Sequence, residues 1–316
     1  MSPKIVIVIL NWNRRDDTLA CLHSVVGIDY PAFETVVVDN GSNDDSVAAI
    51  RGEFPGISIL ETKKNLGYAG GNNVGITSAL KRGADLVFLL NNDTVVDPQI
   101  LKTLAEAMER WPEAGVFGAR PLVFGGEGRL DSIGGVWNQE SCEFDLKETA
   151  TGEELDYVSG CAIAVRRRVF EQVGLLEPNF FLFWEEADFC MRARRAGFPL
   201  KVVEKAKVWH KGSASFIGGK PHIAYFWWRG RFLWIERNLP RRDRWRATTL
   251  VLLPKLLHIG KLYLVKKTTF SLTRWWMNET RATSRRHELR HYHAALRGAW
   301  DYWKKRFGNV PQDLLK

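Results

Sequence analysis

The feature that most limits what this chain can fold into is an alternation. Short β-branched apolar runs are each followed by a polar cluster and then by a segment with helical spacing. IVIVIL (5–10) contains no polar residue, the pattern of a strand buried on both faces. NWN (11–13) ends the run, and Leu19, Leu22, Val25 and Val26 then recur on one helical face. Phe33–Val38 repeats the strand pattern and ends at Asp39. Residues 43–52 suit a short helix, Ile57–Leu60 a third strand, and 68–82 a helix stopped by Gly83. Leu86–Leu90 ends at Asn91, and Pro98 opens a helix through about Arg110. Strand–helix–strand repetition predicts an α/β fold with a mostly parallel sheet flanked by helices.

Ligands of such sheets bind beyond the carboxyl ends of the strands. Here those ends carry NWN (11–13), DNGS (39–42) and NND (91–93). Three polar clusters at three strand ends converge on one crevice. Asp93 can cap its own turn; in a shared crevice its carboxylate can instead hold Mg²⁺ or Mn²⁺, which in turn holds a diphosphate. Magnesium usually takes only one or two carboxylates beside phosphate oxygens. Asp39 reads as an Asx-turn or as an acceptor for a base or ribose group. NLGYAGGNNVG (65–75) is glycine-rich ahead of a helix, and a helix amino end favours phosphate. It matches neither G-x-x-x-x-G-K-[ST] nor G-x-G-x-x-G, which removes support for P-loop and dinucleotide-binding readings.

The pattern changes after residue 115. Residues 125–156 are rich in glycine and acids and read as hairpins and a loop. YVSGCAIAVRRRVF (157–170) reads as a strand entering a helix. FFLFWEEADFCMRARRAGF (180–198) becomes helical at about Glu185 and stops at Gly197. Its acids at the start and arginines at the end match the helix dipole; with apolar Phe180–Trp184 before them, a carboxylate there can also act as a general base. His210 follows an apolar stretch, where imidazole is a structural residue or a metal ligand.

Charge divides the chain. Residues 1–210 hold 22 Lys and Arg against 30 Asp and Glu; residues 211–316 hold 23 against 6 and eight of the 13 Trp. The basic part is expected to be helical, over HIAYFWWRGRFLWIERN, 241–267 and 284–306, and to meet something anionic. Membrane-surface attachment is the expectation, through 245–267 and Trp227, Trp228, Trp234, Trp275 and Trp276. An aromatic helical core or a homodimer contact is the alternative. The best transmembrane candidate, 249–265, is broken by Pro254, Lys255, His258 and Lys261, so no spanning helix is expected. The apolar run at the start is too short for a signal peptide. Four scattered cysteines without a C-x-x-C pair argue against zinc or disulfides and fit a reducing cytosol.

Taken in order, the first strand with NWN, VVVDNGSNDDS, NLGYAGGNN, LLNNDT, and FFLFWEEADFCMRARRAGF with the later His210 resemble inverting glycosyltransferases of family 2. The resemblance is strongest to a rhamnosyltransferase-like branch and spans about residues 4–240. It implies the Rossmann-like GT-A fold, with a catalytic domain at 1–218, nucleotide-sugar binding to about 120 and acceptor binding after, and a basic helical region at 219–316. It also implies site roles. Asn11, Asn13 and Asp39 would hold the nucleoside, and Asn65, Gly67 and Asn72 would line the donor site. Asn91 would contact ribose or phosphate, Asp93 the metal, and His210 would be a second metal ligand. Family members use the Asp of a Glu-Asp pair as base; this chain has Glu185–Glu186, so Glu186 takes that place and Asp188 is the nearby substitute. The implied cofactor is Mg²⁺ or Mn²⁺, the donor a dTDP-, UDP- or GDP-sugar, and the acceptor a glycan or lipid-linked hydroxyl at the cytoplasmic face of a membrane. A nucleotidyltransferase and a nucleic-acid-binding protein are the competing classes. The first lacks its basic glycine-rich opening loop, and the second is opposed by the acidic first 210 residues, so no nucleic-acid partner is expected.

Overall fold

The computed structural model describes residues 2–149, 154–212 and 220–314. The described chain forms two compact units, one of residues 1–137, 144–178 and 185–213 and one of residues 138–143, 179–184 and 214–316. The domain boundary expected at 218/219 lies outside the described residues.

The first unit begins as the alternation requires: β1 (Ile5–Asn11), α1 (Arg15–Val26), β2 (Phe33–Asp39), α2 (Ser46–Glu53), β3 (Ser58–Glu61), α3 (Gly67–Lys81), β4 (Leu86–Asn91), β5 (Thr94–Val96), α4 (Ile100–Arg110) and β6 (Val116–Val123). It continues with β7 (Gly134–Asn138), β8 (Glu143–Lys147), β9 (Tyr157–Val158), β10 (Ala162–Arg166), α5 (Arg167–Val173), α6 (Glu185–Arg195) and β11 (Leu200–His210). Eight strands form one sheet in the order β3-β2-β1-β4-β10-β6-β11-β5, and β7, β8 and β9 form a small second sheet. β10 runs against both neighbours, β5 runs against β11, and the other pairings are parallel. The sheet is therefore mixed, with the first four strands all parallel.

The apolar runs bury both faces because successive side chains point to opposite sides. Ile5, Ile7, Ile9, Val37, Leu86 and Phe88 pack on one face with α1 and α4. Val6, Val8, Val36, Val38, Val87 and Leu89 pack on the other with α3, α5 and α6. Three strands go beyond the sequence expectation. β5 has three residues. β6 contains Pro121, which is tolerated because β10 pairs with β6 only over Val116–Gly118. β11 alternates charged and apolar residues and carries a register irregularity between Val203 and Lys207, which hides its period.

The second unit holds α7 (Pro221–Asn238), α8 (Arg241–Arg246), α9 (Leu253–Thr273) and α10 (Glu279–Trp303). Asn278 caps α10, its side chain accepting from Arg281 N at 2.9 Å. Phe181, Tyr225, Phe226, Ala294, Val310 and Leu314 form its core. Trp228 and Trp234 are buried, which removes two of the five tryptophans expected at lipid headgroups. Trp275 and Trp276 are exposed. Pro254 does not interrupt the helix expected over 241–267. Residues Ala247–Leu252 form a π-helical turn, and Arg241–Trp276 is one helix, long and apolar enough to cross a membrane by length and composition alone. A widened turn just before a proline accommodates the backbone group its ring leaves unpaired.

Candidate active site

The carboxyl ends of β1 and β2 are locked together. Asn11 and Asp39 are register partners, and Asn11 Nδ2 donates to Asp39 Oδ1 at 2.8 Å and to Ser42 Oγ at 3.2 Å. Asn11 Oδ1 accepts from Thr18 Oγ1. Ser42 N donates to Asp39 Oδ2 at 3.0 Å, which makes the Asx-turn. Asn13, at φ 52°, accepts from Asn43 N through its side chain and donates from its own amide to Ser42 Oγ. The two polar loops thus fold into one rigid lip. Asp39 is buried and uses each oxygen once, and a carboxylate has about four acceptor positions in all.

The glycine-rich loop is held by side-chain amides. Asn65 Oδ1 accepts from Gly67 N at 2.8 Å and from Asn40 Nδ2 at 3.0 Å. Gly67 opens α3 at φ +76°. Asn72 is buried and donates to Tyr68 O. Much of the glycine signal here is packing: a Cβ at Gly71 would lie 2.4 Å from Leu10 Cδ1, and one at Gly75 2.2 Å from Val8 Cγ1. Glycine lets α3 lie directly on β1.

β4 ends at Asn91, whose carbonyl accepts from Thr94 Oγ1 at 2.6 Å in a tight turn. β5 then pairs with β11 so that His210 faces Thr94, and Lys211 N donates to Asp93 O. This pairing brings together two residues far apart in sequence. His210 Nε2 lies 3.4 Å from Asp93 Oδ1, without hydrogen-bond geometry. On the other side of the ring, Nδ1 is 3.0 Å from Asp131 Oδ2. Burial alone would lower the His210 pKa; the hydrogen bond to Asp131 and the charges of Asp93 and Asp131 outweigh it and raise it to about 9. The hydrogen bond to His210 holds the Asp131 carboxyl below its ordinary value. Asp131 was not legible in the sequence, since it lies in a glycine-rich loop that matches no motif. Among the described residues no group of three or more His, Cys, Asp and Glu is placed to hold a metal. Asp93 and His210 nevertheless suit a divalent ion: Nε2 is buried and unpartnered beside a carboxylate, and Nδ1 is fixed by a second carboxylate, as metal-binding imidazoles usually are.

α6 starts at Glu185, with Glu185, Glu186 and Asp188 in its first turn and Arg192, Arg194 and Arg195 in its last. Oε2 of Glu185 and of Glu186 are buried without a partner. Burial pushes Glu185 well above the ordinary carboxyl pKa, helped by the adjacent Glu186, and burial raises Glu186 too. Glu186 packs beside Gly160, where an added Cβ would sit 3.4 Å from its Cβ and Cγ. It also lines a small apolar cavity with Tyr68, Leu89, Ile163, Phe170 and Phe189. Tyr68 donates to Gly160 O at 2.8 Å. Asp188 differs: it is fully buried and pairs with Arg192 at 2.9 Å, whose guanidinium also donates to Val173 O and Leu175 O. Just before this helix, Phe181, Phe183 and Trp184 all have positive φ, strain of about 1–3 kcal/mol each for non-glycine residues.

A mixed α/β sheet whose carboxyl ends gather amide, carboxylate and imidazole groups is the GT-A arrangement, and the solved structures agree on the fold. A mannosyltransferase from Pyrobaculum calidifontis, solved with GDP-Man and Mn²⁺, superposes with a TM-score of 0.57 at 13% identity, covering 97% of this chain and 88% of that one. The sequence pattern of Glycosyl transferase family 2 matches residues 6–174, more than half of the chain, and the chain belongs to that family. An N-acetylglucosaminyl-diphospho-decaprenol L-rhamnosyltransferase of Mycobacterium tuberculosis (strain ATCC 25618 / H37Rv) is 25% identical over 245 residues, 64% of this chain and 79% of the relative. The low-salt glycan biosynthesis hexosyltransferase Agl10 of Haloferax volcanii is 27% identical over 266 residues, 80% of this chain and 82% of the relative. The chain is thus a glycosyltransferase.

Proposed function

We propose that this glycosyltransferase moves a sugar, with inversion, from a nucleoside diphosphate donor to a hydroxyl of a lipid-linked glycan at the cytoplasmic face of a membrane. The observation that carries the chemistry is the meeting of Asp93 and an unpartnered His210 Nε2 at the carboxyl end of the sheet. These two residues would hold a divalent ion, Mg²⁺ or Mn²⁺, which when bound neutralises the charge of a departing diphosphate. Asp131 keeps the imidazole turned so that Nε2 faces Asp93. The lip formed by Asn11, Asn13 and Asp39 takes the nucleoside, and Asn65, Gly67, Asn72 and Asn91 line the sugar and phosphate part.

Glu186 is the base in this reading. Its carboxylate takes the proton of the acceptor hydroxyl as that oxygen attacks the anomeric carbon, and a single displacement inverts the configuration. Asp188 is already tied to Arg192 and serves to hold α6. Residues to about 120 bind the donor and those after, the acceptor. dTDP-rhamnose is the first donor to test, because a relative is named a rhamnosyltransferase; UDP- and GDP-sugars follow. The purified protein, given a polyprenyl-diphosphate-linked glycan acceptor and each donor with Mn²⁺, should release nucleoside diphosphate only with both substrates present. Turnover unaffected by Glu186→Gln would refute the assignment of the base.

A further inference from the structure

The helix Arg241–Trp276 presents a surface that no described residue of its own unit covers. Leu250, Leu257 and Leu264 are all exposed and stand seven residues apart. At about 100° per residue they form one stripe. Leu253 and Val265 widen it, and Trp275 and Trp276 close it at 89% and 85% exposure. The far side of the same helix is the side that packs. Tyr263 stacks on His293 of α10. Lys266 Nζ pairs with Glu288 and donates to Tyr292 at 3.1 Å. Lys255 Nζ reaches Ser141 O at 2.8 Å. The helix is thus fastened along its length by groups of one face while the leucine face stays open.

Charge identifies the occupant. Residues 241–276 hold nine basic residues and one acid, Asp243. Exposed Lys261 and Lys267 flank the stripe about 60° to either side of Leu264. A second copy would bring two such helices together against their own repulsion. An anionic bilayer meets the same helix with opposite charge and receives the leucines below the headgroups, with lysine stems reaching back to phosphates. Fastening at Lys255 and Lys266 favours a helix lying flat over one standing through the bilayer. We infer that the Leu250–Leu257–Leu264 face of this helix lies in the headgroup region of an anionic phospholipid bilayer, its axis parallel to the surface. This deepens the localisation given above and does not depend on the transfer chemistry.

Flotation of the full-length protein with vesicles tests it. Wild type is expected to float with phosphatidylglycerol–phosphatidylcholine vesicles at physiological salt, to stay down with phosphatidylcholine alone, and to be released at high salt. Leu257→Gln with Leu264→Gln should reduce partitioning about tenfold or more, with circular dichroism and thermal midpoint unchanged. Lys261→Glu with Lys267→Glu, which leaves every leucine in place, should do the same. Four results would overturn the inference: no flotation of wild type, equal flotation of the leucine variant, binding that survives high salt, or a wild-type dimer that the leucine variant dissolves. Transfer to a soluble acceptor reports separately on the catalytic reading, so flotation with no transfer, or transfer with no flotation, shows which of the two has failed.

Discussion

Asp188 and Glu186 lie two residues apart on α6, yet their removal should damage different properties. Asp188→Ala leaves the Arg192 guanidinium without its anion. Breaking a buried pair by deleting one partner costs about 3–5 kcal/mol. Arg192 keeps some solvent contact, 19% of its side chain, and two carbonyl acceptors, so the lower end applies. About 3 kcal/mol corresponds to a fall of roughly 6–12 °C in thermal midpoint for a domain of this size. Glu186→Gln breaks no hydrogen bond at Oε2, which is buried and unpartnered, and it removes a charge that burial disfavours. Its midpoint should stay or rise, while transfer falls about 10²–10⁴-fold, the usual contribution of a positioned base. The assay pairs a thermal melt with initial rates of nucleoside diphosphate release, measured well below both midpoints. An Asp188→Ala protein that melts like wild type but cannot transfer, together with an active Glu186→Gln, would exchange the two roles and refute the argument.

Other perturbations follow from the same geometry. Asp131→Asn should weaken Mn²⁺ binding about 10–100-fold in a calorimetric titration with nucleoside diphosphate, and His210→Ala should weaken it at least as much. Transfer should be lost on acidification at a pH above the ordinary carboxyl range, since the Glu186 carboxyl is raised by burial. The raised Glu185 carboxyl binds its proton more tightly in the folded chain than in the unfolded one. Its contribution to stability is therefore full at low pH and lost as pH rises past the ordinary carboxyl range; Glu185→Gln should flatten denaturant midpoints plotted across that window. Gly75→Val forces a side chain into Val8 and should lower stability by about 1–3 kcal/mol or more in urea unfolding.

The fold was legible where one physical signal dominated. Ile5–Leu10, Val36–Val38 and Leu86–Leu90 are buried almost throughout on both faces, and such runs admit few other structures. β11 escaped because Glu204, Lys205 and Lys207 interrupt it and its register slips, so neither burial nor period 2 is plain. β6 was masked by Pro121, which only a partly unpaired strand can accept. In the site, Asp93 and His210 were joined only by the family resemblance, since residue patterns alone do not show the antiparallel pairing of β5 with β11, a long-range contact, that brings them together. Asp131 gave no signal because what marks it for the site is a long-range hydrogen bond to His210. The aromatic-basic tail held two populations that composition mixes: Trp228 and Trp234 in a core, Trp275 and Trp276 on an open face. The helical spacing of 241–267 runs through Pro254 because a π-helical turn absorbs what would otherwise be a break.

Anomalous diffraction at the manganese edge, from crystals grown with Mn²⁺ and a nucleoside diphosphate, tests the central claim most directly. The account predicts one strong peak bonded to an Asp93 carboxylate oxygen and to His210 Nε2, with diphosphate oxygens in the same shell. A nucleotide bound at the sheet's carboxyl end with no ion between those two residues, or an ion held elsewhere, would contradict it.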